Sequence, residues 1–197
     1  NSGNCGNTIE IKTTNITLSG NDSVYVYSND NTSTVNNHSA ITSTGATGGN
    51  YGIISAGTVN NDGNMTLTQG IGNVGIYSTG SGIATNSANI RVGASDPDNQ
   101  KYSIGMAAGY KNDEDTTNPA TTGNVLNKGK ISVDGKFGIG MYATNGSTVE
   151  TTVGSKIELN ADNTIGIYLD EGARGVNHGE IKTGSSGLSN VIGVYLG

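Results

Sequence analysis

His38 and His178 are the side chains whose ordinary chemistry suits proton transfer near neutral pH. They occupy equivalent turn positions four coils apart in the repeat described below, roughly 19 Å at ordinary strand spacing. At that distance they cannot act together, and neither has a Ser and Asp recurring beside it, so no Ser-His-Asp arrangement is expected. Gly70-Ile71-Gly72-Asn73-Val74-Gly75 spells GxGxxG. That motif holds phosphate only between a strand and a following helix, and here a strand-like run follows instead. Asp96, Asp98, Asp113, Glu114 and Asp115 supply oxygens of the kind Ca²⁺ prefers. Their spacing is not that of an EF-hand, so solvated loop charge is the plainer reading. Cys5 is the single cysteine, which excludes an internal disulfide and a cysteine zinc site. The sequence therefore predicts no catalytic, cofactor-binding or metal residue, and no enzyme.

The candidates that remain are aromatic. Tyr77, Tyr142, Tyr168 and Tyr195 each sit fourth in a recurring five-residue segment: VGIYS, IGMYA, IGIYL and IGVYL. Relatives of that segment begin at Val24, Tyr51 and Ile104. If the segments stack, the tyrosines form an outward column with Tyr27, Ile54 and Ala107, beside a column of glycines. The plainer role is a structural aromatic ladder. The other is a contact strip, since a phenol offers apolar area and a hydroxyl at small entropic cost. The four tyrosines and the five acidic residues above are the candidate partner-binding residues.

Positioning such a column requires repeats, and they are present at intervals of about 27 residues. Upstream of each segment lies Asn-x-small-x-Ile, as in Asn37 to Ile41, Asn86 to Ile90, Asn127 to Ile131 and Asn177 to Ile181. Asn61 to Met65 is a variant of it, Val153 and Ser155 precede Ile157, and Lys12 and Thr14 precede Ile16. A weaker third piece comes earlier: Ile9 to Ile11, Val35, Val59, Ile83, Val125, Val149 and Val176. Alternation within each run predicts strands with aliphatics inward and Gly, Tyr, Glu or Lys outward. The expected inner walls are Ile16, Ile41, Met65, Ile90, Ile131, Ile157, Ile181 and Val26, Ile53, Ile76, Met106, Ile139, Ile167, Val194. In the second wall Met141 replaces Ile139 if Phe137-Gly138 is an insertion. The asparagines form either a side-chain ladder between coils or left-handed turns.

Three short strands per repeat predict an all-β fold, a right-handed parallel β-helix (β-solenoid) of about seven three-strand coils of about 27 residues. Residues 1–197 read as a single segment of a larger passenger domain, with long loops at 93–101 and 110–123. Gly contributes 32 residues and only 13% are charged, so coil-to-coil stacking must compensate for a thin core. A net charge of -6 with 10 Lys plus Arg gives no footprint for nucleic acid. Apolar runs are too short to insert in a membrane. The run at Val191 to Leu196 has no polar cap after it, so the parent chain is expected to continue past Gly197 while this fragment is monomeric.

Asn127 to Ile131 with Gly138 to Ala143, and Asn177 to Ile181 with Ile192 to Leu196, resemble the passenger domains of type V autotransporters. The nearest likeness is to the large fusobacterial outer-membrane autotransporters (RadD-like). The resemblance covers nearly all of the chain, more loosely before Asn50, where Tyr25 replaces the glycine. It implies a cell-surface adhesin segment, anchored in the outer membrane through a C-terminal barrel missing here, or secreted. Its partner would be a host-cell or bacterial surface protein or glycan. The alternatives are a passive stalk with binding sites elsewhere, and a polysaccharide-active β-helix enzyme.

Overall fold

The computed structural model of the protein describes residues 6–111 and 117–197. It is a parallel β-solenoid of seven coils, whose strands form three seven-stranded sheets. Coil 3 shows the plan: Thr58–Asn61 in the first sheet, Met65–Leu67 in the second and Val74–Ser78 in the third. Every strand pairs in parallel with its equivalent one coil away. Equivalent residues therefore stack, and each thin layer of apolar side chains is covered above and below by the next. The expected wall on the second sheet is present, running from Ile16 through Ile41, Met65, Ile90, Ile131 and Ile157 to Ile181.

The first sheet departs from expectation in four coils, because turn lengths vary. Two extra residues separate Thr151 from Ile157, so Thr151, not Val153, stands in the asparagine column. Val153 is 86% exposed in the turn. One extra residue in the first coil likewise puts Ile11, not Lys12, opposite Asn37. Ala84 and Gly175, not Ile83 and Val176, continue the inner column of Val59, Val125 and Val149. Asn86 and Asn177 fix that register, since residues two apart share a face. Leu169 fills the space that Gly175 leaves: a Cβ there would lie 2.8 Å from Leu169 Cδ1.

The asparagines form a ladder. Asn37 Nδ2 donates to Asn61 Oδ1 at 2.7 Å, Asn61 to Asn86 at 2.8 Å, and Asn86 to Asn127 at 2.9 Å. Each amide also donates to the carbonyl two residues on. None of these asparagines has positive φ, so the ladder, not a left-handed turn, explains the residue type. Thr151 substitutes by donating to Asn177 Oδ1 and accepting the N–H groups of His178 and Gly179.

The third sheet breaks alternation at one place in every coil. In segments such as Ile165–Leu169 the sequence suggests Gly and Tyr outward, but the glycines face inward. A Cβ on Gly105 would meet Ile131 Cγ2 and the Gly140 carbonyl oxygen, each at 2.6 Å. Gly75, Gly140 and Gly166 are enclosed in the same way by Ile90, Ile157 and Ile181. The residue after each glycine also faces the core, as Ile76, Met106, Met141 and Ile167 do. Only glycine, lacking a side chain, lets two successive residues share that face. Consequently the residue before the glycine turns outward. Met141, not Ile139, completes the inner wall between Met106 and Ile167. Tyr25 takes the glycine position of the first coil, between Val24 and Val26, which pair with Tyr51 and Ile53.

Candidate functional site

The reversal places two columns on the outer surface of the third sheet. One is the expected column of Tyr77, Ala107, Tyr142, Tyr168 and Tyr195. The other, three residues earlier on each strand, is Tyr51, Val74, Ile104, Ile139, Ile165 and Ile192. Between them lies an apolar trench along the solenoid, where the sequence suggests a flat strip of glycine.

The two long connections supply its rims. The 93–101 loop contains a short 3₁₀ turn, Pro97–Asn99, closed by the antiparallel bridge between Asp96 and Lys101. This brings Pro97, Lys101 and Tyr102 to the trench. The 110–123 excursion is closed at its base by mutual backbone hydrogen bonds of Tyr110 and Thr121, and it brings Tyr110 to the other side. Phe137, at φ 60°, contributes from the turn ahead of the fifth third-sheet strand, Ile139–Ala143.

Two adjoining basins result. The first, of about 450 Å³, surrounds Ala107 with Tyr51, Tyr77, Tyr102, Tyr110 and Tyr142. The second, of about 500 Å³, has Ile104, Ile139 and Ile165 opposite Tyr142, Tyr168 and Tyr195. Ala107 leaves a gap in the ring column. Below it Tyr51 and Tyr77 stack with centroids 6.2 Å apart. Above it Tyr142 and Tyr168 meet at 5.4 Å and 81°, and Tyr168 and Tyr195 at 4.9 Å and 86°. These edge-to-face contacts are the aromatic ladder the sequence suggests, and the same rings wall the trench.

Burial raises the pKa of the Tyr51, Tyr77, Tyr142 and Tyr168 phenols, with nearby Asp170 adding to the effect at Tyr142 and Tyr168. They therefore stay protonated and can donate hydrogen bonds throughout the physiological range. Tyr77 already uses its hydroxyl on the Gly109 carbonyl at 3.0 Å. Among the described residues lining the two basins Asp22 is the one carboxylate and Lys101 the one cation.

The acidic candidates fall elsewhere. Asp96 caps the 3₁₀ turn, accepting from the Asn99 backbone N–H at 3.3 Å and its side-chain amide at 2.6 Å. Asp98 lies in the first turn of that element, away from the basins. Asp113, Glu114 and Asp115, like Cys5, lie outside the described residues. Among the described residues no group of three or more His, Cys, Asp or Glu side chains is placed to hold a metal ion. Sequence reasoning missed Tyr51, Tyr102, Tyr110 and Phe137. For Tyr102 and Tyr110 the signal was the pair of long loops, one followed by Tyr102 and the other opened by Tyr110.

His38 and His178 stand in the turns that follow the first-sheet strands of the second and seventh coils, five rungs apart and not four, and neither lines the trench. His38 instead bridges coils. Its Nδ1 lies 2.8 Å from Asp62, and its Nε2 lies 3.2 Å from Glu10, which Lys12 also approaches at 3.8 Å. Hydrogen bonds to Asp62 and Glu10 raise the His38 pKa above its ordinary 6.5. Bonds from Asn36 and His38 lower that of Glu10 below 4.5. A raised histidine pKa stabilises fully below 6.5, and its contribution is lost as pH rises through the folded value. A lowered carboxylate contributes above 4.5 and is lost on acidification through its folded value. The clasp should therefore be strongest between pH 4.5 and 6.5. Amide hydrogen exchange in coils 1 to 3, corrected for intrinsic rates, should show less protection at pH 8 than at pH 6. His38→Gln should remove that difference.

A family model described as the BigA third pectate lyase-like domain matches residues 54–152. That span contains the first basin's central residue, Ala107, and both long loops. No curated protein and no solved structure matches the chain. Among the described residues no helix is long and apolar enough to cross a membrane.

Proposed function

Since the chain belongs to the BigA third pectate lyase-like domain family, we propose that it is a contact-making segment of a bacterial surface adhesin, an autotransporter passenger of the RadD-like kind. In this reading it binds a partner on host cells or other bacteria and holds it without chemical turnover. The carrying observation is the trench: an aromatic wall and an aliphatic wall on one face of a stiff, repetitive scaffold, rimmed by the two long insertions. Insertions on one face of a solenoid are a common place for recognition. Hydrolysis of a glycosidic bond would ordinarily use two carboxyl groups flanking it. Among the described residues of the lining Asp22 is the one carboxylate, which supports binding over catalysis.

The test is binding of the purified, labelled chain to epithelial monolayers and to a panel of bacterial cells. Tyr142→Ser with Tyr168→Ser should reduce saturable binding at least tenfold, while exposed Val153→Ser should leave it unchanged. Undiminished binding by the double variant would remove the trench from the mechanism. A lack of binding to any cell would leave the segment a stalk, and release of reducing ends from polysaccharides would make it an enzyme.

A further inference from the structure

We infer that the trench accepts an uncharged, proline-rich polypeptide in the polyproline II conformation. The inference names a ligand class for the adhesin reading and rests on it for biological context. Three observations carry it: the spacing of the aromatic wall, the scarcity of charged groups, and the length of the trench.

Consider first the metric. Tyr142, Tyr168 and Tyr195 stand nearly perpendicular to one another in sequence, so they form no continuous flat platform. Equivalent positions two coils apart, such as those of Tyr142 and Tyr195, are separated by about 9.6 Å at ordinary strand spacing. A polyproline II helix turns once in three residues at about 3.1 Å each, or about 9.3 Å. Successive turns of such a helix therefore fall beside alternate coils, one at Tyr142 and the next at Tyr195. Aromatic-lined grooves are the general means by which proteins hold this conformation.

Polarity is the second point. Three aliphatic side chains, Ile104, Ile139 and Ile165, form one side of the second basin, and Asn163 is the one amide in its lining. A sugar carries hydroxyls around its ring that need both donors and acceptors in its own plane. Among the described residues lining the second basin there is no carboxylate to accept from them. A polyproline II strand asks for less: its carbonyls have no internal partners and need donors alone. Tyrosine hydroxyls that stay protonated are such donors. Because the described residues of the lining hold one carboxylate, Asp22, and one cation, Lys101, the favoured strand is uncharged.

Third, the basins run from Tyr51 in coil 2 to Tyr195 in coil 7. Five rungs span about 24 Å, enough for about eight residues of polyproline II. Such a strand is already extended before it binds, so little conformational entropy opposes docking.

Decaproline is the probe, titrated into the full chain and followed by calorimetry. Charged glutamate decamers and a panel of linear oligosaccharides serve as the other arms. Saturable binding of decaproline is expected, weakened at least tenfold by Tyr142→Ser and by Tyr168→Ser, and unchanged by Val153→Ser. Tyr142→Phe keeps the ring and removes the donor, and should weaken binding a few-fold while far-ultraviolet circular dichroism stays that of the parent. Absence of saturable decaproline binding, binding indifferent to the tyrosine changes, or tyrosine-dependent binding of oligosaccharide alone would each overturn the inference. Cell attachment that depends on the trench but is not competed by decaproline would overturn the ligand class and leave the adhesin reading standing. Decaproline binding to a chain that attaches to no cell would do the reverse.

Discussion

Gly105→Val should destabilise the solenoid by about 3 kcal/mol or more, seen as a fall of at least 1 M in the urea midpoint at a slope of roughly 2 kcal/mol per M. The cause is not lost flexibility, because Gly105 is not among the residues with positive φ. It is space. A Cβ would lie 2.6 Å from the Gly140 carbonyl oxygen in the neighbouring coil and 2.6 Å from Ile131 Cγ2 in the core. Neither can retreat: one is backbone in a parallel ladder, and the other is a fully buried side chain. Valine adds two methyl groups to the same collision. Since a solenoid is held by contacts between neighbouring coils, a mid-stack separation weakens the interfaces on both sides. Gly193 makes the comparison exacting. It holds the same place in its segment, yet a Cβ there meets nothing within 4 Å. Gly193→Ala should change stability by no more than about 0.5 kcal/mol. Equal effects at the two sites would contradict the inward assignment of the glycine column.

That assignment also marks where the sequence could and could not be read. The Asn-x-small-x-Ile runs were legible because each spans a turn of nearly fixed length, with a buried Asn ending one strand and a buried Ile near the start of the next. The wall from Ile16 to Ile181 followed directly, and so did the parallel three-sheet class. The third sheet was harder. Ile165 and Ile167 look equivalent, but Gly166 reverses the expected parity between them, so one lines the trench and the other the core. Glycine reads equally well as an outward position needing no side chain and as an inward position with no room for one. Only the neighbouring sheet decides between these, and in this protein the deciding neighbours are Ile90, Ile131, Ile157 and Ile181. The tyrosine column was visible for the complementary reason: a large amphipathic residue at one fixed place needs an outer face. Its opposing wall was not, because it consists of aliphatics that resemble core residues and of aromatics delivered by loops of irregular length.

The asparagine ladder gives the second large effect. Asn86 is fully buried and sits between Asn61 and Asn127, accepting from one at 2.8 Å and donating to the other at 2.9 Å. It also donates to the Ala88 carbonyl and accepts the Ala88 N–H. Asn86→Ala leaves several of these partners unsatisfied in the interior, which should cost about 2–3 kcal/mol. Asn86→Thr should cost less, about 1 kcal/mol, because Thr151 already shows that a hydroxyl can donate onward and accept from the following N–H groups. Asn86→Asp is the most informative change. Its carboxylate keeps the bond from Asn61 but faces Asn127 Oδ1 with no proton to donate, and it carries a buried charge. Burial raises the folded-state pKa of such an acid, so the penalty is largest at neutral pH and is relieved as pH falls below the folded value. Urea unfolding at pH 7 and pH 4 should therefore show Asn86→Asp below Asn86→Ala at neutral pH and closer to the parent protein in acid, after each is referred to the parent at the same pH. An aspartate variant with the same deficit at both pH values would mean that the onward bond to Asn127 contributes nothing, and that the column is held by its backbone ladder alone.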